Sequence, residues 1–254
     1  MNKKEKKNKK GQVTIFIIIA ILIVLVIFVL FYSDIKMLIS EPEPVDQLRG
    51  CVKDAVDEVF ENISLQGGTL NPENYFLYQG DKIEYLCYTN EYYKSCVMQK
   101  PLITQGVEKE IKDYISPKVE QCLGNLKISL EGKGYRVDSN FEGVDVRLVP
   151  ERITIDTKSN LVITKESVVR YKNIKTELPT GLYNLLMISS SIANWETRYG
   201  DSDPMGFMGF YPNLKVEKKK QGEGTKIYIL TNTMTKEKFQ FASRSYVQPP
   251  GYFG

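Results

Sequence analysis

Residues 13–32 read VTIFIIIAILIVLVIFVLFY. No side chain in this run is charged, and Thr14 is its one interruption before the aromatic end at Phe31 and Tyr32. At ~1.5 Å per residue, a helix of this length covers ~30 Å, the thickness of a bilayer's hydrocarbon core, and it satisfies its backbone groups internally. A core helix of a soluble protein would be shorter or amphipathic, so the reading is a membrane-spanning helix, with the lipid bilayer as partner through Val13 to Tyr32. Lys3, Lys4, Lys6, Lys7, Lys9 and Lys10 precede the run, whereas Asp34 and Lys36 follow it. The positive-inside rule then places segment 1–12 in the cytoplasm and everything beyond Tyr32 outside the cell. A cleavable secretory signal shares this plan. Here the apolar run exceeds the usual h-region, and Ser33-Asp34-Ile35-Lys36 offers no small-x-small site, which favours an uncleaved anchor.

The 254 residues carry a formal charge of +3, and the lysine-rich start hides the character of the rest. Without the first ten residues the chain holds 28 basic and 30 acidic groups, about −2. A near-neutral remainder does not have the electrostatic footprint of a nucleic-acid binder. The cysteines, Cys51, Cys87, Cys96 and Cys122, all fall after the span, where disulfides persist. Of the three pairings, a nested one is expected. Two short strands turning around Asn90 bring Cys87 opposite Cys96, and Cys51 with Cys122 clips two helices together. A zinc site needs closely spaced cysteines or histidines, and the chain has neither, so no metal is expected.

Glu41-Pro42-Glu43-Pro44 breaks the first helix, making 33–44 a stalk or hinge. From Val45 to Ile63 apolar residues recur at three- and four-residue steps, an amphipathic helix that Gln66-Gly67-Gly68 terminates. Tyr75 to Gln99 is rich in tyrosine and predicts a small β-hairpin, its tyrosines covering a thin core or forming a binding surface. A second helix is expected over Thr104 to Leu126, kinked or restarted at Ser116-Pro117. These elements make a cysteine-bearing subdomain, 45–130. Beyond Gly132 and Gly134 the period changes to alternation: Val144, Val146 and Leu148, then Ile153 and Ile155, then Val162 through Val168 to Lys172. With turns at Pro150-Glu151 and Lys158-Ser159-Asn160, this is an antiparallel meander. Pro179 introduces a helix whose apolar side carries Leu182, Leu185, Leu186, Ile192, Ala193 and Trp195. Lys226 to Thr231 and Lys238 to Ala242 form a hairpin through Asn232-Thr233-Met234-Thr235, while Tyr199 to Tyr211 and Lys218-Lys219-Lys220 read as surface loops. Residues 131–254 are thus expected to be a second subdomain. The fold class is α+β: an N-terminal transmembrane helix, then an exported head of amphipathic helices, a small hairpin and a β-meander.

The chain has no histidine, which excludes Ser-His-Asp and Cys-His catalysis. Ser189-Ser190-Ser191 reads as a small, close-packing surface rather than a nucleophile. Asp138, Glu142 and Asp145 lie near a turn, where solvated acids are ordinary. Asp201-Ser202-Asp203 begins like a calcium loop but lacks the later glycine and glutamate. No catalytic residue and no cofactor is assigned, and an enzyme is not expected. Asn62-Ile63-Ser64 is a glycosylation sequon.

The stretch Lys9-Lys10-Gly11-Gln12-Val13-Thr14-Ile15-Phe16, running into the apolar span, resembles the archaeal class III signal of type IV prepilin-like proteins. That resemblance implies cleavage between Gly11 and Gln12 by a prepilin-type peptidase. It also implies a mature helix that packs with further copies of the chain or other pilin-like subunits. Many pilins carry glutamate at the fifth mature position, where this chain has Phe16, and pilin helices usually continue into the head, which the prolines at 42 and 44 interrupt. More broadly the chain is similar to uncharacterised single-pass membrane proteins of small-genome archaea. The function expected is a non-enzymatic, cell-surface or filament component; the alternative is a permanently anchored ectodomain that binds an envelope component or partner protein. An envelope enzyme is the third reading.

Overall fold

The computed structural model describes residues 18–27 and 43–247. Residues 18–27 are helical with exposed apolar side chains. The rest of the expected span 13–32, the Gly11–Gln12 junction and nearly all of the expected hinge lie outside the described residues. Among the described residues no helix is long and apolar enough to cross a membrane.

From Pro44 onward the chain forms one compact unit. Helix α1 (Pro44–Leu65) buries Val45, Leu48, Val52, Ala55, Val56, Val59 and Ile63, the stripe its periodicity predicts. Its end is built on Gly67 and Gly68, at φ 76° and 93°, with the Gly68 amide donating to the Ile63 carbonyl at 2.9 Å. Helix α2 (Ile103–Gly132) runs unbroken through Pro117 and continues past the expected end at Leu126, because Leu130 extends its buried stripe. The two helices lie antiparallel. Cys51, near the start of α1, is bonded to Cys122, near the end of α2, and Glu58 accepts a hydrogen bond from Lys118 at 2.5 Å and another from the Tyr114 hydroxyl.

Strands β1 (Tyr75–Tyr78) and β2 (Asp81–Tyr88) make a tight hairpin. Gln79 and Gly80 both have positive φ, 54° and 100°, the geometry that matches the twist of two-residue hairpins. The Cys87–Cys96 disulfide forms as expected, but not across two strands around Asn90. Its frame is β2 paired with β3 (Val97–Met98), Cys87 lying opposite Met98, and residues 89–96 connect them.

The meander is β4 (Arg136–Val149), β5 (Arg152–Thr164) and β6 (Val168–Pro179), in that spatial order. Glu151, at φ 68°, makes the turn after Pro150. Lys158-Ser159-Asn160, expected as a turn, lies inside β5, where the register to β6 shifts between Thr157 and Asn160. A polar trio in a strand is a β-bulge signal as much as a turn signal, and both flanks of β5 stay paired. The actual reversal falls at residues 165–167, so the expected Val162–Lys172 strand is divided in two.

The second sheet joins β1, β2 and β3 to β7 (Leu214–Lys220), β8 (Thr225–Asn232) and β9 (Lys238–Arg244). Its six strands are ordered β1-β2-β9-β8-β7 with β3 beside β2. The lysines at 218–220 are therefore in a strand rather than a loop: Leu214 and Val216 carry an alternation into the core that the charged run concealed. Strand β2 pairs with β9 in parallel, so residues of 45–130 and 131–254 share one sheet, and the expected pair of subdomains is not separate. An isolated hairpin is marginal in water, and β2 gains its stability by adding β9. Helix α3 (Leu182–Tyr199) lies over β9, β2 and β8. Phe239, Phe241, Tyr228 and Leu230 face it in the main core, each fully buried. Burial of each phenylalanine contributes about 2–3 kcal/mol. On the opposite sheet face Ile83, Tyr85, Ile227 and Ala242 form a small second core, capped by Phe76, Tyr78 and Tyr88.

Candidate functional site

Helix α3 ends at Gly200, at φ 71°, whose amide donates to the Glu196 carbonyl at 2.9 Å. Residues 201–203 cross to helix α4 (Pro204–Phe210), which starts on two local signals: the Asp203 carboxylate accepts from the Met205 amide at 3.0 Å, and Pro204 sits in the first turn. The stretch Tyr199–Tyr211, expected as a loop, therefore contains a short helix. It packs on β7 and buries no residue fully.

Between the end of α3 and α4 lies a cleft of about 560 Å³, lined by Trp195, Tyr199, Asp201, Ser202, Asp203, Gly206, Phe207 and Phe210. The Trp195 and Tyr199 rings, one helical turn apart, sit 4.9 Å between centroids at a 35° tilt. Trp195 is half exposed and Phe210 is 86 % exposed, apolar surface left open by the described residues. The helix periodicity was expected to turn Trp195 inward. In the structure the buried stripe runs Leu182, Leu185, Leu186, Ser189, Ile192, Ala193 and then Glu196, which leaves Trp195 off the stripe and on the cleft.

Glu196 lies next to this lining and anchors it from behind. It is fully buried and accepts from Lys226 Nζ at 3.1 and 2.7 Å and from the Tyr228 hydroxyl. Lys226 also donates to the Gly200 carbonyl at 2.5 Å and lies 3.2 Å from Asp201 Oδ1. Lys218 holds the same Asp201 oxygen at 2.9 Å and the Ser202 carbonyl at 2.7 Å. Partial burial opposes ionisation of Asp201, but the bonds to Lys218 and Lys226 outweigh it and keep the carboxyl below its ordinary range. Burial, reinforced by the charge of Glu196, drives the ionisation of Tyr228 far upward, so its hydroxyl stays a donor. This network ties the cleft's rim to β7 and β8 and presets its shape.

The other candidate groups remain apart. Ser189 is buried with an unpartnered hydroxyl, and Ser191 donates back to the Met187 carbonyl at 2.9 Å. Asp145 is held by Lys158 at 2.5 Å and Lys112 at 3.2 Å. Glu142 accepts from Asn140 at 3.5 Å. Asp201 and Asp203 do meet at one cleft, yet lysine ammoniums already occupy the Asp201 oxygen a cation would need, and no group of three or more metal-ligating side chains occurs among the described residues. Asn62 stands exposed on α1. Of the hairpin tyrosines, Tyr85 donates to or accepts from Thr225 at 3.0 Å in the second core, whereas Tyr92 and Tyr93 stack edge-on against Tyr246.

The chain matches no protein-family model, no curated protein and no solved structure.

Proposed function

We propose that this protein is a non-enzymatic, membrane-anchored ectodomain that binds an envelope component or partner through the cleft between α3 and α4. The observation that carries the reading is the aromatic surface of Trp195, Tyr199 and Phe210, exposed over a floor that buried ion pairs hold rigid. A protein core gains nothing by displaying such rings, whereas binding surfaces are enriched in them. The exposed apolar helix 18–27 and the lysines before it support insertion in a bilayer with the unit 44–254 outside. The two disulfides suit that compartment.

The test has two arms, both on the full chain in its native host. Alkaline extraction should leave the protein in the membrane, and protease added to intact cells should digest the unit after residue 43. Trp195→Ala with Phe210→Ala should keep the thermal transition within a few degrees while lowering retention on isolated envelope at least ten-fold. Unchanged retention sinks the reading.

A second reading, a type IV pilin-like filament subunit, is favoured by the Lys10-Gly11-Gln12 junction before the apolar run. Intact mass of the native protein decides it: a chain starting at Gln12 supports processing, and retained lysines argue for a plain anchor.

A further inference from the structure

We infer that the cleft receives a quaternary or fully methylated ammonium group. This rests on the cleft being the binding surface and goes on to name the chemistry it selects. Its walls are aromatic rings from two elements, Trp195 and Tyr199 on α3 and Phe207 and Phe210 on α4. The faces of such rings carry negative potential and attract a cation within about 6 Å of the centroid.

The lining also holds the Asp203 carboxylate and no basic side chain, while the second carboxylate, Asp201, is already paired with Lys218 and Lys226 behind it. Asp203 is therefore the carboxylate that the cleft offers to a ligand. An anion finds no cationic partner in this lining.

Methylation decides among cations. A lysine ammonium is strongly hydrated and brings three donors that each need an acceptor, more than ring faces and the Asp203 carboxylate, one oxygen of which already accepts from the Met205 amide, supply. A trimethylammonium has no donor, spreads its charge over methyl groups and presents apolar surface. It therefore matches an aromatic slot with one carboxylate set at the side. The volume, about 560 Å³, admits the group and part of the molecule that bears it.

Trp195 is the chain's single tryptophan, so its fluorescence reports directly from the wall. The full chain, held in a polyoxyethylene detergent, is titrated with choline, with a trimethyllysine peptide, with the uncharged carbon isostere 3,3-dimethylbutanol and with a chitin trisaccharide, and calorimetry provides a second readout. The expected result is saturable binding of choline or the peptide, at least ten-fold tighter than the isostere; the tighter of the two cations identifies whether a free headgroup or a modified side chain is the source. Asp203→Asn, which preserves the cap of α4 but removes a charge, should weaken cation binding several-fold, and Phe210→Ala should do so without loss of folding.

Equal affinity for the isostere overturns the inference, as does saturation by the saccharide alone. Failure of every probe while envelope retention still depends on Trp195 and Phe210 overturns the ammonium assignment and leaves the binding cleft standing. Loss of that dependence removes both.

Discussion

Lys226 Nζ lies 2.7 Å from Glu196 Oε2, at a place where the glutamate meets no solvent and the lysine almost none. One residue comes from the last turn of a helix and the other from a strand, and the Gly200 carbonyl and the Tyr228 hydroxyl complete the cluster. Taking both charges out of water is costly, and the pair repays that cost only through its full set of hydrogen bonds.

Lys226→Met leaves Glu196 buried without its counter-charge. Urea unfolding should show a loss of about 3–5 kcal/mol. Combining it with Glu196→Leu should recover much of that loss, since an apolar pair removes the uncompensated charge. Equal stabilities for single and double variants would contradict the buried-pair account.

The disulfides should differ in weight. Cys51–Cys122 closes a separation of 71 residues and Cys87–Cys96 one of 9. Chain-entropy scaling assigns them roughly 4 and 2.5 kcal/mol. Paired alanine replacements, each followed by chemical denaturation, should therefore hurt more at Cys51 and Cys122.

Gly67→Ala should destabilise by about 1–3 kcal/mol or more, because a Cβ there sits 2.9 Å from Glu84 Cβ and 3.0 Å from its carbonyl oxygen, at φ 76°. Gly80→Ala, also at positive φ but with nothing within 4 Å, should cost only the backbone strain. Thermal midpoints of the two variants measure the difference.

Hydrogen bonds from Lys215 and Lys219 hold Glu217 down to about 2 from an ordinary 4.5. A carboxylate depressed by folding adds stability above pH 4.5 that is lost as pH falls through 2. In Glu217→Gln the thermal midpoint should decline less steeply between pH 5 and pH 2 than in the parent chain. An unchanged slope would show that these exposed pairs carry no weight.

Much of the architecture was legible in residue periodicity. The stripes of α1 and α2, the glycine end of α1 and the meander follow from local spacing, and the nested disulfides are the expected ones of three possible pairings, although Cys87–Cys96 sits in a different strand frame from the one its spacing suggested. Strand and turn signals misled where polar residues had two uses. Ser159 sits in a bulge and Lys218 in a strand, and both segments read as loops because charge and turn propensity say nothing of pairing partners.

The cleft was half visible. Counting the stripe of α3 onward by threes and fours from Leu182 lands on Glu196, a charged residue at an inward position, which releases Trp195 to the surface. Lys226 likewise shares the inward face of its strand with Tyr228 and Leu230. Two misplaced charges on two elements announce a buried pair, but nothing in their sequence spacing joins them.

The sequence by itself determined the α+β character, the apolar run before the domain and the absence of histidine chemistry, because each depends on local periodicity, composition or short-range geometry. Only the tertiary structure decided that β2 joins β9 in one sheet, that Glu196 meets Lys226, and that Phe207 and Phe210 stand across from Trp195. The reason is physical: pairing and packing between distant segments are chosen by which arrangement buries the most apolar surface while satisfying every buried polar group, a property of the whole chain that no window of residues contains.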